Sequence, residues 1–95
     1  MQKDAIISEV VKIIRDSIGE DCKILLFGSW ARGNATETSD MDIGILSTEK
    51  IPWDTMVKIL GQVRAIPTLR KIDVLDLNAK EKSFRDNVLS YAKVL

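Results

Sequence analysis

Three aspartates, a glycine–serine step and one arginine carry most of the chemistry open to this 95-residue chain. Asp40 and Asp42 stand one residue apart at the head of an apolar run, Ile43 to Leu46, which reads as a strand. Side chains two apart on a strand share a face, about 6.8 Å apart along the backbone. Two carboxylates held that close repel each other and are hard to keep ionised unless a cation lies between them. An oxygen-only pair suits Mg²⁺, which takes one or two carboxylates and fills its shell with water and phosphate oxygens. Taken alone, the pair reads as readily as a solvated loop-to-strand junction with Asp40 in a turn. Gly28 and Ser29 follow a second apolar run, Ile24 to Phe27. Glycine lets a ligand approach the backbone, and Ser29 can offer a hydroxyl and free N–H groups to an anion. Alone, this step reads first as an ordinary turn.

Topology links the two pieces. If Cys22 to Phe27 and Met41 to Leu46 pair as antiparallel strands, the end of the first lies beside the start of the second. Gly28, Ser29, Asp40 and Asp42 then share one rim. A helix from Pro52 to Ile66 can carry the chain across to a third strand, Lys71 to Leu77, parallel to the second. Asp73, near the start of that strand, reaches the same rim, whereas Asp76 falls on the opposite face and reads as solvated surface. Three carboxylates facing a phosphate-holding turn is the arrangement expected of metal-assisted phosphoryl transfer. Competing motifs fail. Gly28 and Gly33 have P-loop spacing, but Asn34 and Ala35 stand where lysine and a hydroxyl residue are required. A calcium loop starting at Asp40 would need an oxygen ligand where Gly44 stands. The chain has no histidine, so a serine–histidine triad is impossible.

The elements that must position these residues are legible from periodicity. Lys3 to Ile18 reads as an amphipathic helix with Ile7, Val11, Ile14 and Ile18 as its stripe, widened by Ile6, Val10 and Ile13, and Gly19 as a left-handed cap. Ser29 to Arg32 can form one short helical turn. Ser47 and Thr48 offer capping hydroxyls before the helix that Pro52 opens and Pro67 stops. Met56, Ile59, Val63 and Ile66 form its inner face, Trp53 reads as core beside them, and Gly61 implies a close packing contact. Asn78 reads as the cap of a last helix, Ala79 to about Val94, with Phe84, Val88, Ala92 and Leu95 inward. The expected fold is α/β: a short mixed sheet of three or four strands with helices packed on one face, within a single domain over residues 1–95.

Composition narrows the function. Fourteen basic and fourteen acidic residues cancel, which argues against direct binding of nucleic acid, a task that normally needs a basic surface. No apolar run approaches a membrane span and the N-terminus lacks a secretory pattern, so a cytoplasmic protein is expected. The one cysteine, Cys22, excludes an internal disulfide and reads as a half-buried packing thiol.

Gly28-Ser29, ten intervening residues, then Asp40-Met41-Asp42 and a later aspartate-bearing strand resembles the minimal nucleotidyltransferase (MNT) group of the DNA polymerase β-like superfamily. Ala31-Arg32-Gly33 and the Ser39-Asp40 junction strengthen the likeness. The resemblance implies the polymerase β palm-like fold and transfer of a nucleoside monophosphate, usually AMP from ATP, to an acceptor hydroxyl with two Mg²⁺ ions. It makes Asp40, Asp42 and Asp73 the catalytic and metal-holding set, with Asp73 orienting or deprotonating the acceptor. Gly28 and Ser29 would hold the phosphates. Arg32 would contact the triphosphate or brace the loop through Glu37 or Asp40. Many such small proteins look like antitoxins of HEPN-domain toxins, which they are thought to silence by adding AMP to a tyrosine. The chain departs from the family pattern at Thr36 and Glu37, where a basic residue and a proline are common, and at Trp30.

The leading expectation is therefore an Mg²⁺-dependent nucleotidyltransferase acting on a partner protein. The alternative is a non-catalytic module that neutralises a partner by contact. A small-molecule acceptor would need a pocket wall that this chain supplies only by forming a homodimer.

Overall fold

A computed structural model of the chain describes residues 2–36 and 39–95. Its elements run α1 (Lys3–Ile18), β1 (Cys22–Phe27), α2 (Ser29–Arg32), β2 (Met41–Ser47), α3 (Trp53–Arg64), β3 (Ile72–Asp76), a 3₁₀ turn (Leu77–Ala79), α4 (Lys82–Leu89) and β4 (Lys93–Val94). The strands form one mixed sheet in the order β3-β2-β1-β4. β1 pairs antiparallel to β2, with Phe27 opposite Asp42, and β3 lies parallel to β2, with Asp73 opposite Asp42. Both pairings follow the expectation. They also mean that α3 serves as the crossover between β2 and β3.

One face of the sheet carries the main core. Ile24 and Leu26 of β1, Met41, Ile43 and Ile45 of β2 and Val74 of β3 pack against α1 and α3. Helix α1 presents Ile6, Val10 and Ile14 as its fully buried residues, one position away from the expected stripe centre. Its two neighbouring isoleucine–valine rows are equally apolar, so only the seat on the sheet decides which is innermost. The amide of Gly19 closes the helix on Arg15 O, with the glycine at φ 86°. Helix α3 buries Met56, Ile59 and Val63 as expected. Trp53 does not join them: it is 79 % exposed at the helix start. Gly61 also lacks the inferred close neighbour, since a Cβ there would meet nothing within 4 Å. No side chain caps α3; Pro52 occupies the N-cap, and the Ser47 hydroxyl turns instead to Glu49 O at 2.6 Å.

The C-terminal third departs furthest from expectation. The predicted long helix is divided into the 3₁₀ turn, α4 and the short strand β4, which pairs antiparallel with Leu25 and Leu26 of β1. Asn78 does not cap a helix. Its side-chain amide exchanges two 2.9 Å hydrogen bonds with the backbone of Ser47, tying the end of β3 to the end of β2. Asp76 is 7 % exposed rather than a surface residue. Its two carboxylate oxygens accept the Ile51 amide at 2.7 Å and the Asn78 amide at 3.0 Å. The expected layer of helices on one face is present in α1 and α3, and α4 covers part of the other. There Val88 meets Leu25, Phe27 and Leu77, and Phe84 sets its ring edge-on to Phe27. Among the described residues, no helix is long and apolar enough to cross a membrane.

Candidate active site

The site is built where β1 ends and β2 and β3 begin. Alternation along β2 sends Met41 and Ile43 into the main core and Asp42 to the other face. Because Asp73 is the register partner of Asp42, the two carboxylates leave adjacent parallel strands on the same face. Asp40 lies immediately before β2, close enough to act electrostatically on Asp42. Gly28 adopts φ 71° and ψ −154°, a region that side-chain-bearing residues avoid. A Cβ at this position would also overlap Asp42 Oδ2. Only glycine lets the turn pass this close beneath the carboxylate. Ser29 then opens α2, and the Ala31 and Arg32 amides both return to Gly28 O.

The loop that follows is fastened at its far end. Trp30 Nε1 donates to Ser39 O at 3.2 Å, fixing the residue just before Asp40. The Lys3 ammonium lies 5.3 Å from the centroid of the Trp30 ring and the Arg70 guanidinium 4.6 Å from it. The Ser39 hydroxyl accepts the Thr36 amide at 2.8 Å. Glu37, one suggested partner of Arg32, lies outside the described residues. Arg32 stacks on Tyr91, its guanidinium carbon 4.3 Å from the ring centroid.

Electrostatics mark Asp42 as the strained member of the group. Burial pushes its carboxyl above the ordinary carboxylate range, and Asp73 and then Asp40 reinforce the rise, with Lys71 opposing it. The Lys71 ammonium lies 3.9 Å from Asp73, an exposed pairing of little energetic weight. The oxygen-only donors and their mutual repulsion fit a hard divalent cation. Among the described residues, no three acidic, histidine or cysteine side chains are already gathered as a ligand set. The fit is therefore to an ion that keeps water and takes substrate oxygens, as Mg²⁺ does, and not to one caged by protein.

Sequence reasoning placed the glycine–serine step and the three aspartates, and the structure brings these residues to one rim. It passed over Lys71, and it read Tyr91 as a packing residue of the last helix or a site of self-modification. Lys71 left a signal, standing two residues before Asp73 on the same strand period. Tyr91 left none, because it reaches the rim only through the unforeseen pairing of β4 with β1.

Comparison with known proteins agrees with this geometry. A model of the family described as Polymerase beta, Nucleotidyltransferase matches residues 11–95. The chain is 25 % identical over 92 residues to the protein adenylyltransferase MntA of Shewanella oneidensis, spanning 93 % of this chain and 63 % of that protein. It is 33 % identical over 102 residues to MJ0604 of Methanocaldococcus jannaschii, which carries the provisional name of a protein adenylyltransferase, with 100 % and 99 % covered. Its fold matches a chain in a solved structure of tri-AMPylated Shewanella oneidensis HEPN toxin in complex with MNT antitoxin. That match has a TM-score of 0.71 at 20 % identity and covers 98 % of this chain and 71 % of the other. The chain belongs to the polymerase beta nucleotidyltransferase family.

Proposed function

We propose that this chain, acting as one domain, transfers AMP from ATP to a hydroxyl group on a partner protein, and that the partner is a HEPN-domain toxin. One observation carries the chemical part: Asp42 and Asp73 are register partners on one face of the sheet, with the Asp42 carboxylate seated directly over Gly28. The names of the relatives support the donor and the acceptor, since one is an adenylyltransferase and the fold match is to a complex of an AMPylated HEPN toxin with MNT antitoxin. The same reading places the protein in the cytoplasm.

In this reading Asp40, Asp42 and Asp73 would hold Mg²⁺, which would screen the phosphates and favour attack at the α-phosphorus. Gly28, lacking a side chain, leaves room for the phosphate tail at the turn, the Ser29 hydroxyl holds it, and Arg32 stands beside them as a cation. Asp73, on the outermost strand, orients the acceptor hydroxyl and takes its proton. The acceptor oxygen forms a bond to the α-phosphorus as the bond to the β-phosphate breaks, and pyrophosphate leaves. Lys71, Arg64 and Asp73 line a cleft of about 350 Å³ at the β3 edge of the sheet.

Incubation of the chain with labelled ATP, Mg²⁺ and the HEPN protein encoded beside it is expected to label the partner, and Asp42→Asn to lower the rate about 1,000-fold, on the scale of losing one group essential to phosphoryl transfer. Labelling undiminished in Asp42→Asn would refute the mechanism. Inhibition of the partner by a folded Asp40→Asn, Asp42→Asn double variant would favour neutralisation by contact alone.

A further inference from the structure

Two side chains at the β1–β4 end of the rim have no role in cation or acceptor handling. Tyr91 follows α4, and its hydroxyl accepts the Gly28 amide at 3.0 Å across 63 positions of sequence. Arg32 lies over the face of the same ring at 4.3 Å. Among the described residues, Arg32 makes no ion pair. The strand order sets out the rim in sequence: Asp73 on β3, Asp42 on β2, Gly28 at the end of β1, and Tyr91 just before β4. Neighbouring strands are about 4.8 Å apart, so the β4 position is roughly 10 Å from that of Asp42, on the side away from Asp73.

The chemistry of this end is that of an anion site. A phenol both accepts and donates. Its accepting role is taken by Gly28, which leaves its own O–H proton to give. The guanidinium, held against the ring face, has donors to give and no capacity to accept. Both groups flank the turn that carries the phosphate tail and lie on the side of Asp42 away from Asp73.

We propose that Tyr91 is a further donor to the β- and γ-phosphates, the part of the nucleotide that departs as pyrophosphate, beside Arg32, whose contact with the triphosphate the family resemblance already implies. Tyr91 also positions the Gly28 turn through its amide. This places Tyr91 on the leaving-group side of the α-phosphorus, so it is not itself an acceptor for AMP. The inference deepens the nucleotidyltransferase reading and rests on it.

Calorimetric titration of the full chain with Mg²⁺ and three probes tests it: a non-hydrolysable ATP analogue, pyrophosphate and AMP. Tyr91→Phe keeps the ring and the stacked arginine, and Arg32→Gln keeps the Gly28 amide bond. Each is expected to weaken the triphosphate and pyrophosphate about tenfold, the scale of one charge-assisted hydrogen bond, and to leave AMP within twofold of wild type. Wild-type affinity for all three probes in Tyr91→Phe would overturn the role of Tyr91 alone, whatever Arg32→Gln shows. Equal weakening of AMP would also overturn it, by showing that the pair only holds the turn in shape. A wild-type chain that binds neither triphosphate nor pyrophosphate would overturn the subsite and the nucleotidyltransferase reading together.

Discussion

The two faces of the sheet are made from alternate residues of the same strands, yet they are built to different ends. On the α1/α3 face, Ile24, Leu26, Met41, Ile43, Ile45 and Val74 are all buried in one continuous apolar cluster. On the α4 face, only Leu25 and Phe27 of β1 are buried, packed with Leu77 and with Val88 of α4, and the upper part carries Asp42 and Asp73. Burying a side chain such as Ile43 contributes about 1.5–3 kcal/mol, so the first face supplies most of the stability. The second spends part of its area on mutually repelling carboxylates. Adjacent residues of β2 therefore serve opposite purposes, and a family of this size can keep a costly site because the other face holds the fold.

The comparison breaks most visibly at Ile43. Ile43→Ala empties space in the main core, and removal of such a side chain typically costs about 2–5 kcal/mol. A domain of this length has a total stability of roughly 5–14 kcal/mol. Chemical denaturation is expected to show a stability loss of about 2–5 kcal/mol with an unchanged slope, while the folded fraction keeps its transfer rate. A loss of under 1 kcal/mol would mean that the two faces share the load after all.

Asp76 sharpens the contrast, because it is an acid on the packed face. Its carboxylate accepts two backbone amides and so holds the loop before α3 and the turn after β3. Asp76→Asn must aim an NH₂ group at one of those N–H donors, at an expected cost of about 1–3 kcal/mol. The expected signature is lower stability with an unchanged affinity for nucleotide. Weaker nucleotide binding at unchanged stability would instead attach Asp76 to the rim.

Much of this arrangement was legible in the sequence, because hydrophobic period and motif spacing are local. The order helix, strand, strand, helix, strand followed from the runs Ile24 to Phe27 and Ile43 to Leu46 and from the 3.6-residue rows of α1 and α3. The rim followed from one pairing rule, that a short connection makes β1 and β2 antiparallel. What stayed hidden depends on contacts between distant segments. Nothing near Asp76 announces the Ile51 amide that it holds, and nothing near Tyr91 announces Gly28. The Lys93–Val94 strand looks like the end of a helix until the free edge of β1 is there to take it. Trp53 carries the most apolar bulk of α3 and was read as core, yet it begins the helix outside the reach of the sheet.

The smallest expected effect on stability is also the one of opposite sign. Burial, reinforced by Asp73 and Asp40, raises the folded-state pKa of Asp42. The folded chain thus binds a proton at this carboxyl more tightly than the unfolded chain does. At this group, folding is favoured below the ordinary carboxylate pKa, and that contribution is lost as pH rises through the higher folded value. At neutral pH the ionised Asp42 is a liability that Asp42→Asn removes. Because the carboxyl is only half-buried, solvent screens much of the repulsion, and the gain is expected to be no more than a few degrees in Tm. Thermal melts should show the variant above wild type at pH 7, with the two curves converging as the solution is acidified through the raised pKa. Mg²⁺ at neutral pH should close the same gap from the other side, since an ion bound by the native wild type stabilises it by mass action and the variant gains less. A variant that melts lower than wild type at every pH would show that donors hold the Asp42 carboxylate in place, and the division of labour between the two faces would have to be redrawn.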